Sequence, residues 1–148
     1  MIVIAIVGIL AAIAIPTFMT FTMKTKQSEA RLQMDQLENR IRLYHTIKRA
    51  LPPSAALFPN VEACDSPQGK IPVQPESAWQ ADNGWREMGF HINESSYFQY
   101  QWTLLGPTSG IAQAIGDLDC DDIYAQMTLL INLVEGNVFE TTTVFLDD

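Results

Sequence analysis

Residues 1–23 read MIVIAIVGILAAIAIPTFMTFTM and carry no charged side chain before Lys24. As a helix rising about 1.5 Å per residue, this run spans about 35 Å, enough to cross a bilayer core. A secretory signal has a much shorter apolar region that ends in a small-residue cleavage site ahead of a soluble domain. Here the apolar run passes without a break into an amphipathic stretch, so it reads as a retained segment. A chain built this way has to fold its remaining residues around one end of a long helix.

The interior of the run is specific. Gly8 and Pro16 sit inside it, and Pro16 removes a backbone donor and presses on the preceding turn. In lipid that cost is tolerated where neighbouring helices or side chains satisfy the freed backbone groups. Ala5, Gly8, Ala11, Ala12 and Ala14 are small enough to let helices approach closely. Phe18 and Phe21 follow near the polar boundary, where aromatic side chains anchor or pack.

The string from Met1 through Gly8 to Pro16 resembles, nearly residue for residue, the N-terminal helix of type IV pilins and of the related pseudopilins of type II secretion. The resemblance implies a pilin fold, a long N-terminal helix packed on a small antiparallel sheet. It also implies a life history. The subunit waits in the bacterial inner membrane, is extracted by inner-membrane assembly machinery, and joins other copies of itself in an extracellular helical filament. The filament-core residues would then be Gly8, Ala11, Ala12, Pro16, Phe18 and Phe21, and Gly8 with Pro16 would permit local loosening of the helix. Family members carry a basic leader and a Phe-Thr-Leu-Ile-Glu-Leu-like segment ahead of the Met, so the chain is expected to be truncated at its start. Without a leader, Lys24 and Lys26 alone would place the C-terminal side in the cytoplasm by the positive-inside rule, opposite to a pilin.

Residues 24–51 continue the helix as its amphipathic half. Ala30, Met34, Leu37, Ile41, Tyr44 and Leu51 follow a helical rhythm, with Leu32, Leu43 and Ile47 widening the stripe. Gln27, Glu29, Gln33, Gln36, Asn39, Arg40 and Lys48 make the opposite, polar face. Pro52-Pro53 ends the helix. The stripe is expected to pack on the chain's own sheet.

Between 52 and 96, Pro52, Pro53, Pro59, Pro67, Pro72 and Pro75, with Gly69 and Gly84, break every period, which predicts a long surface connection with short turns. From 97 to 148 the chain turns β-favouring. Tyr97–Leu104 is aromatic and alternating, and a turn at Gly106–Gly110 leads to a returning strand at Ile111–Ile115. Tyr124–Val134 and Val138–Leu146 pair around Glu135-Gly136-Asn137. The predicted fold class is α+β, with about four antiparallel strands on one helix.

Composition narrows the function. A net charge of −8 and a pI near 4.6 give no basic stripe, so nucleic-acid binding is not indicated. His45 and His91 have no serine or cysteine motif attached, and no phosphate loop or nucleophile elbow is present, so the chain does not read as an enzyme. Cys64 and Cys120 are too far apart for a zinc or redox motif. In an exported domain they would form a disulfide, contributing about 2–4 kcal/mol; two buried thiols are the other possibility.

One cluster is site-like. Asp117, Asp119 and Asp121 alternate in Gly116-Asp-Leu-Asp-Cys-Asp-Asp122 and can converge on a hard cation such as Ca²⁺, the one cofactor the sequence suggests. The EF-hand pattern fails at Asp122 and Thr128, where Gly and Glu belong. The competing reading is a turn whose aspartates cap backbone amides. The segment resembles a Gly-Asp-Leu-Asp-Gly-Asp-Gly turn of one bacterial pilin subgroup, with Cys120 and Asp122 in place of glycines, and Trp85-Arg-Glu-Met-Gly89-Phe90 resembles a segment of the same subgroup. Three functions therefore compete: a type IV pilin serving adhesion, motility or DNA uptake; a pseudopilin, whose major form often carries calcium sites; and a membrane-tethered binding module that never polymerises.

Overall fold

A computed structural model describes residues 2–134 and 138–146. One helix, α1 (Ile2–Lys48), runs from the start of the apolar segment to just before the Pro52-Pro53 pair. Its second half is the spine of the head. Ala30, Met34, Leu37 and Ile41 are buried at the predicted spacing, as is Leu51 beyond the helix. The stripe is narrower than expected and shifted. Leu32, Leu43 and Ile47 are exposed, while Gln33 and His45, one helical step round from the expected face, are buried. The reason is rotational: 30, 34, 37, 41 and 45 keep close to the 3.6-residue period, whereas 32, 43 and 47 lie on the far side of the helix. His45 meets Phe139 edge-on at 5.2 Å, and the Arg42 guanidinium lies 4.5 Å above the same ring.

The helix ends on Arg49, which takes a left-handed φ of 58° and donates its N–H to the His45 carbonyl at 2.8 Å. That is the backbone a C-terminal glycine usually supplies.

The α+β arrangement stands, with five strands rather than four. They are β1 (Ala55–Phe58), β2 (Gln99–Gly106), β3 (Ser109–Gly116), β4 (Ala125–Val134) and β5 (Val138–Leu146), in the spatial order β1-β2-β3-β4-β5 and antiparallel throughout. The hairpin turn expected at Glu135-Gly136-Asn137 lies outside the described residues; the strands flanking it pair from Val134↔Val138 to Gln126↔Leu146. The sheet face towards α1 carries small residues on β3, where Gly110, Ala112, Ala114 and Gly116 are buried. A Cβ at Gly110 would collide with the Trp102 indole, so only glycine fits beneath that ring.

The expected surface connection is instead part of the core. It supplies β1 and two short helices, α2 (Glu76–Trp79) and α3 (Asn83–Met88), and buries Trp79, Trp85, Met88, Phe90 and Ile92. Trp79 stacks edge-on against Phe58 at 4.7 Å, Trp85 at 5.4 Å and Phe90 at 5.6 Å. Such aromatic contacts add to the burial of large rings and compensate for the irregular backbone. The signals for α3 were local. Asp82 caps its start by accepting the N–H groups of Gly84 and Trp85, and Gly89 ends it with a left-handed φ of 61°. The indole N–H of Trp85 donates to the Ala56 carbonyl at 2.9 Å and that of Trp102 to the Pro52 carbonyl at 3.0 Å, which fastens the start of the segment to α3 and to β2.

Candidate functional site

The predicted site residues fall into two regions that meet at the base of the head. The first is the apolar half of α1. Every large apolar side chain from Ile2 to Phe21 is between 53% and 78% exposed. Gly8, Ala12, Pro16, Phe18 and Phe21 are all exposed on this half, and nothing lies within 4 Å of where a Gly8 Cβ would be. By length and composition α1 can cross a membrane. Pro16 sits inside the continuous helix. It has no N–H to offer the carbonyl four residues earlier, at Ala12.

Sequence reasoning passed over the threonines of this half. Thr17, Thr20, Thr22 and Thr25 each donate the side-chain hydroxyl to the carbonyl four residues back, as does Ser28. A hydroxyl satisfied by its own helix can enter an apolar environment without losing a hydrogen bond. The signal was the run of Thr at helical spacing after Pro16.

The second region is the neck, where α1 leaves the head. Lys26 Nζ donates to the Leu118 carbonyl and lies 4.9 Å from the centre of the Tyr97 ring, against which Lys70 also stands at 4.5 Å. Glu29 Oε1 accepts the Tyr97 N–H at 2.8 Å. Burial of Glu29 raises its pKa above the ordinary glutamate value of 4.5, and the Tyr97 bond opposes that shift only in part. Burial also holds the Tyr100 hydroxyl well above the usual tyrosine range, with the Glu29 carboxylate adding to the effect. Between residues 18 and 27 of α1 and the loops of the head lies an open cleft of about 720 Å³, lined by Phe18, Met19 and Met23 on the helix side and by Asp119 and Cys120 on the other. Above this cleft the helix belongs to the head; below it the helix is bare.

Cys64 and Cys120 form a disulfide that ties the segment after β1 to the β3–β4 connection. Beside it, the acidic turn is organised by Asp117. This buried carboxylate accepts the N–H groups of Cys120 at 2.6 Å, Asp119 at 3.3 Å and Asp122 at 3.1 Å. Asp121 accepts the N–H of Ile123 at 2.9 Å. The capping geometry expected of such a turn is thus present. Carboxylate oxygens of Asp117, Asp119 and Asp121 also lie within 4.8 Å of one another, so a small hard cation has three ligands in reach. Asp117 is already turned inward onto the backbone; Asp119 and Asp121 are exposed. Cys120 and Asp122, the two positions held by glycine in the turn this segment resembles, take left-handed φ values of 66° and 67°. The turn keeps a glycine-type backbone without glycine, at a steric cost of about 1 kcal/mol per residue, less for Asp. Next to it the Tyr124 hydroxyl bonds both carboxylate oxygens of Glu62, at 3.1 and 3.2 Å, and that bond raises the tyrosine pKa.

His45 packs inside the head, and His91, half-buried, lies in the segment after α3. No protein-family model matches the chain, and comparison with curated proteins and with solved structures gives no match.

Proposed function

We propose that the chain is a structural subunit of a type IV pilin-class filament, anchored in the inner membrane before assembly and extracellular afterwards. The observation that carries this reading is α1 itself. A single unbroken helix is bare and apolar over residues 2–21 and is the spine of a packed, disulfide-closed head over residues 30–45. Membrane and filament core are both apolar, so the bare half moves between them at little hydrophobic cost. Packing among the small residues Gly8, Ala11 and Ala12 then sets the direction. The hydroxyls of Thr17, Thr20 and Thr22, bonded within the helix, remove a second obstacle to burial. Heads carried on such helices form the filament surface, which serves adhesion, motility or DNA uptake.

The pseudopilin alternative draws on the three close carboxylates of the acidic turn. Shearing cells that produce the chain, followed by mass spectrometry of the released material, separates the readings. A major pilin dominates the sheared fraction. A pseudopilin or a non-polymerising tether stays with the membranes.

A further inference from the structure

The charged side chains divide unevenly along the chain. Apart from Lys70 and Arg86, every Lys and Arg lies between positions 24 and 49. Apart from Glu29, Asp35 and Glu38, every Asp and Glu lies beyond position 60. Within the helix Arg42 pairs with Glu38 at 2.6 Å. Two places on the surface set exposed apolar side chains beside exposed charge with the same construction.

At the base of the head, Ile123 is 56% and Tyr124 is 40% exposed, beside the exposed Asp119, Asp121 and Asp122. At the other end, Leu43 is 52% and Ile47 is 68% exposed. They share a helix face with the exposed Arg40 and adjoin Lys48. Each patch has an apolar centre and a charged rim, as protein interfaces do. The side chains flanking the two apolar centres differ in sign, aspartates at the base, with Lys24 and Lys26 across the neck cleft from them, and cations at the top. The base patch is fixed near Lys26 by the Leu118 carbonyl, and Lys48 lies about 30 Å further along α1 at 1.5 Å per residue.

This placement decides how copies can meet. Base against base sets aspartates on aspartates, and top against top sets cations on cations; like charges across an interface cost several kcal/mol. Base against top pairs opposite charges around two apolar centres. Such a contact is heterologous, leaves a free patch at each end and keeps all copies pointing the same way, so it propagates into a filament where the rotation between copies does not close a ring. Of these three arrangements it is the one in which every bare helix half points in one direction.

We propose that copies of this chain meet head to tail, with the Ile123–Tyr124 patch of one seated on the Leu43–Ile47 patch of the next and its aspartates facing Arg40 and Lys48. The proposal rests on the filament reading and adds the surface that sets the contact between heads.

The test is a charge swap in the full chain, read as the yield of sheared filament. One variant carries Asp119→Lys and Asp122→Lys, the second at a left-handed φ of 67°. A second carries Arg40→Glu and Lys48→Glu, and a third carries all four changes. Each one-sided variant is expected to lose about tenfold or more in yield, and the four-change chain to recover most of it. Formation of the Cys64–Cys120 disulfide and an unchanged thermal melt report that the head has folded. Should a reversal unsettle it, Asp119→Asn and Lys48→Gln are expected to give smaller losses in the same direction. One-sided variants that fold and assemble like the unaltered chain overturn the proposal and leave the filament reading intact, as does a four-change chain that folds without recovering. If the unaltered chain itself never enters the sheared fraction, the filament reading fails first and takes the proposal with it.

Discussion

Glu29, on α1, accepts the backbone N–H of Tyr97 at 2.8 Å and so joins the helix to the chain two residues before β2 begins. The carboxylate is partly desolvated, and its pKa is raised because burial outweighs the Tyr97 bond. A raised carboxylate pKa means that the folded state holds the proton more tightly than the unfolded chain. The stabilising contribution is complete below the ordinary value of 4.5 and is lost as pH rises through the raised value. Glu29→Gln keeps an oxygen for Tyr97 and removes the titration. Urea melts of the full chain in detergent across this window should show a loss of stability with rising pH that the Gln variant lacks. Glu29→Ala, which orphans the Tyr97 N–H, should be less stable by about 1–2 kcal/mol.

The disulfide closes a loop of 56 residues around the segment that carries Trp79 and Trp85. Replacing both cysteines by serine should lower stability by about 2–4 kcal/mol. The measurement is a urea melt with and without reductant: reduction should bring the parent to the level of the variant and leave the variant unmoved.

Asp117 holds three backbone N–H groups of the acidic turn. Asp117→Asn turns one acceptor into a donor and should cost about 1–3 kcal/mol. Because the carboxylate is committed to the backbone, calcium at millimolar concentration should leave the Tm of the parent unchanged. A rise with calcium that chelator reverses, absent from an Asp119→Asn and Asp121→Asn chain, would assign the turn to a cation instead.

Gly110 lies under the indole of Trp102, whose N–H is held by the Pro52 carbonyl. The ring cannot move aside without giving up that bond. Gly110→Ala should therefore destabilise by about 1–3 kcal/mol, with a change in tryptophan near-UV circular dichroism, and Ala112→Gly, its neighbour on the same face, should cost less and leave the signal in place.

What could be read from the sequence follows from which forces are periodic. Met34, Leu37 and Ile41 announce the helix spine because a helix repeats, and the alternation of Tyr97–Leu104 announces a strand for the same reason. Residues 52–96 do not repeat. Their core role rests on Trp79, Trp85 and Phe90 reaching one another across turns, and prolines masked the short signals that were present, the Asp82 cap and the Gly89 stop. Leu43 and Ile47 were placed on the buried face because hydrophobicity alone does not say which side of a helix the sheet covers. The Asp117 turn was legible as a cluster. Its inward carboxylate and the left-handed Cys120 and Asp122 depend on a backbone path that composition does not encode.

The central claim is that the bare half of α1 leaves the membrane for a core made of other copies of itself. Ala12→Cys places a thiol on that half, remote from the native disulfide. Cells producing this chain are treated with a membrane-permeant bismaleimide, and filaments and membranes are separated by shearing. With one free thiol per copy, the account predicts a cross-linked dimer in the sheared, extracellular fraction. Cross-link-free monomer confined to the membranes, with nothing released by shear, would contradict it.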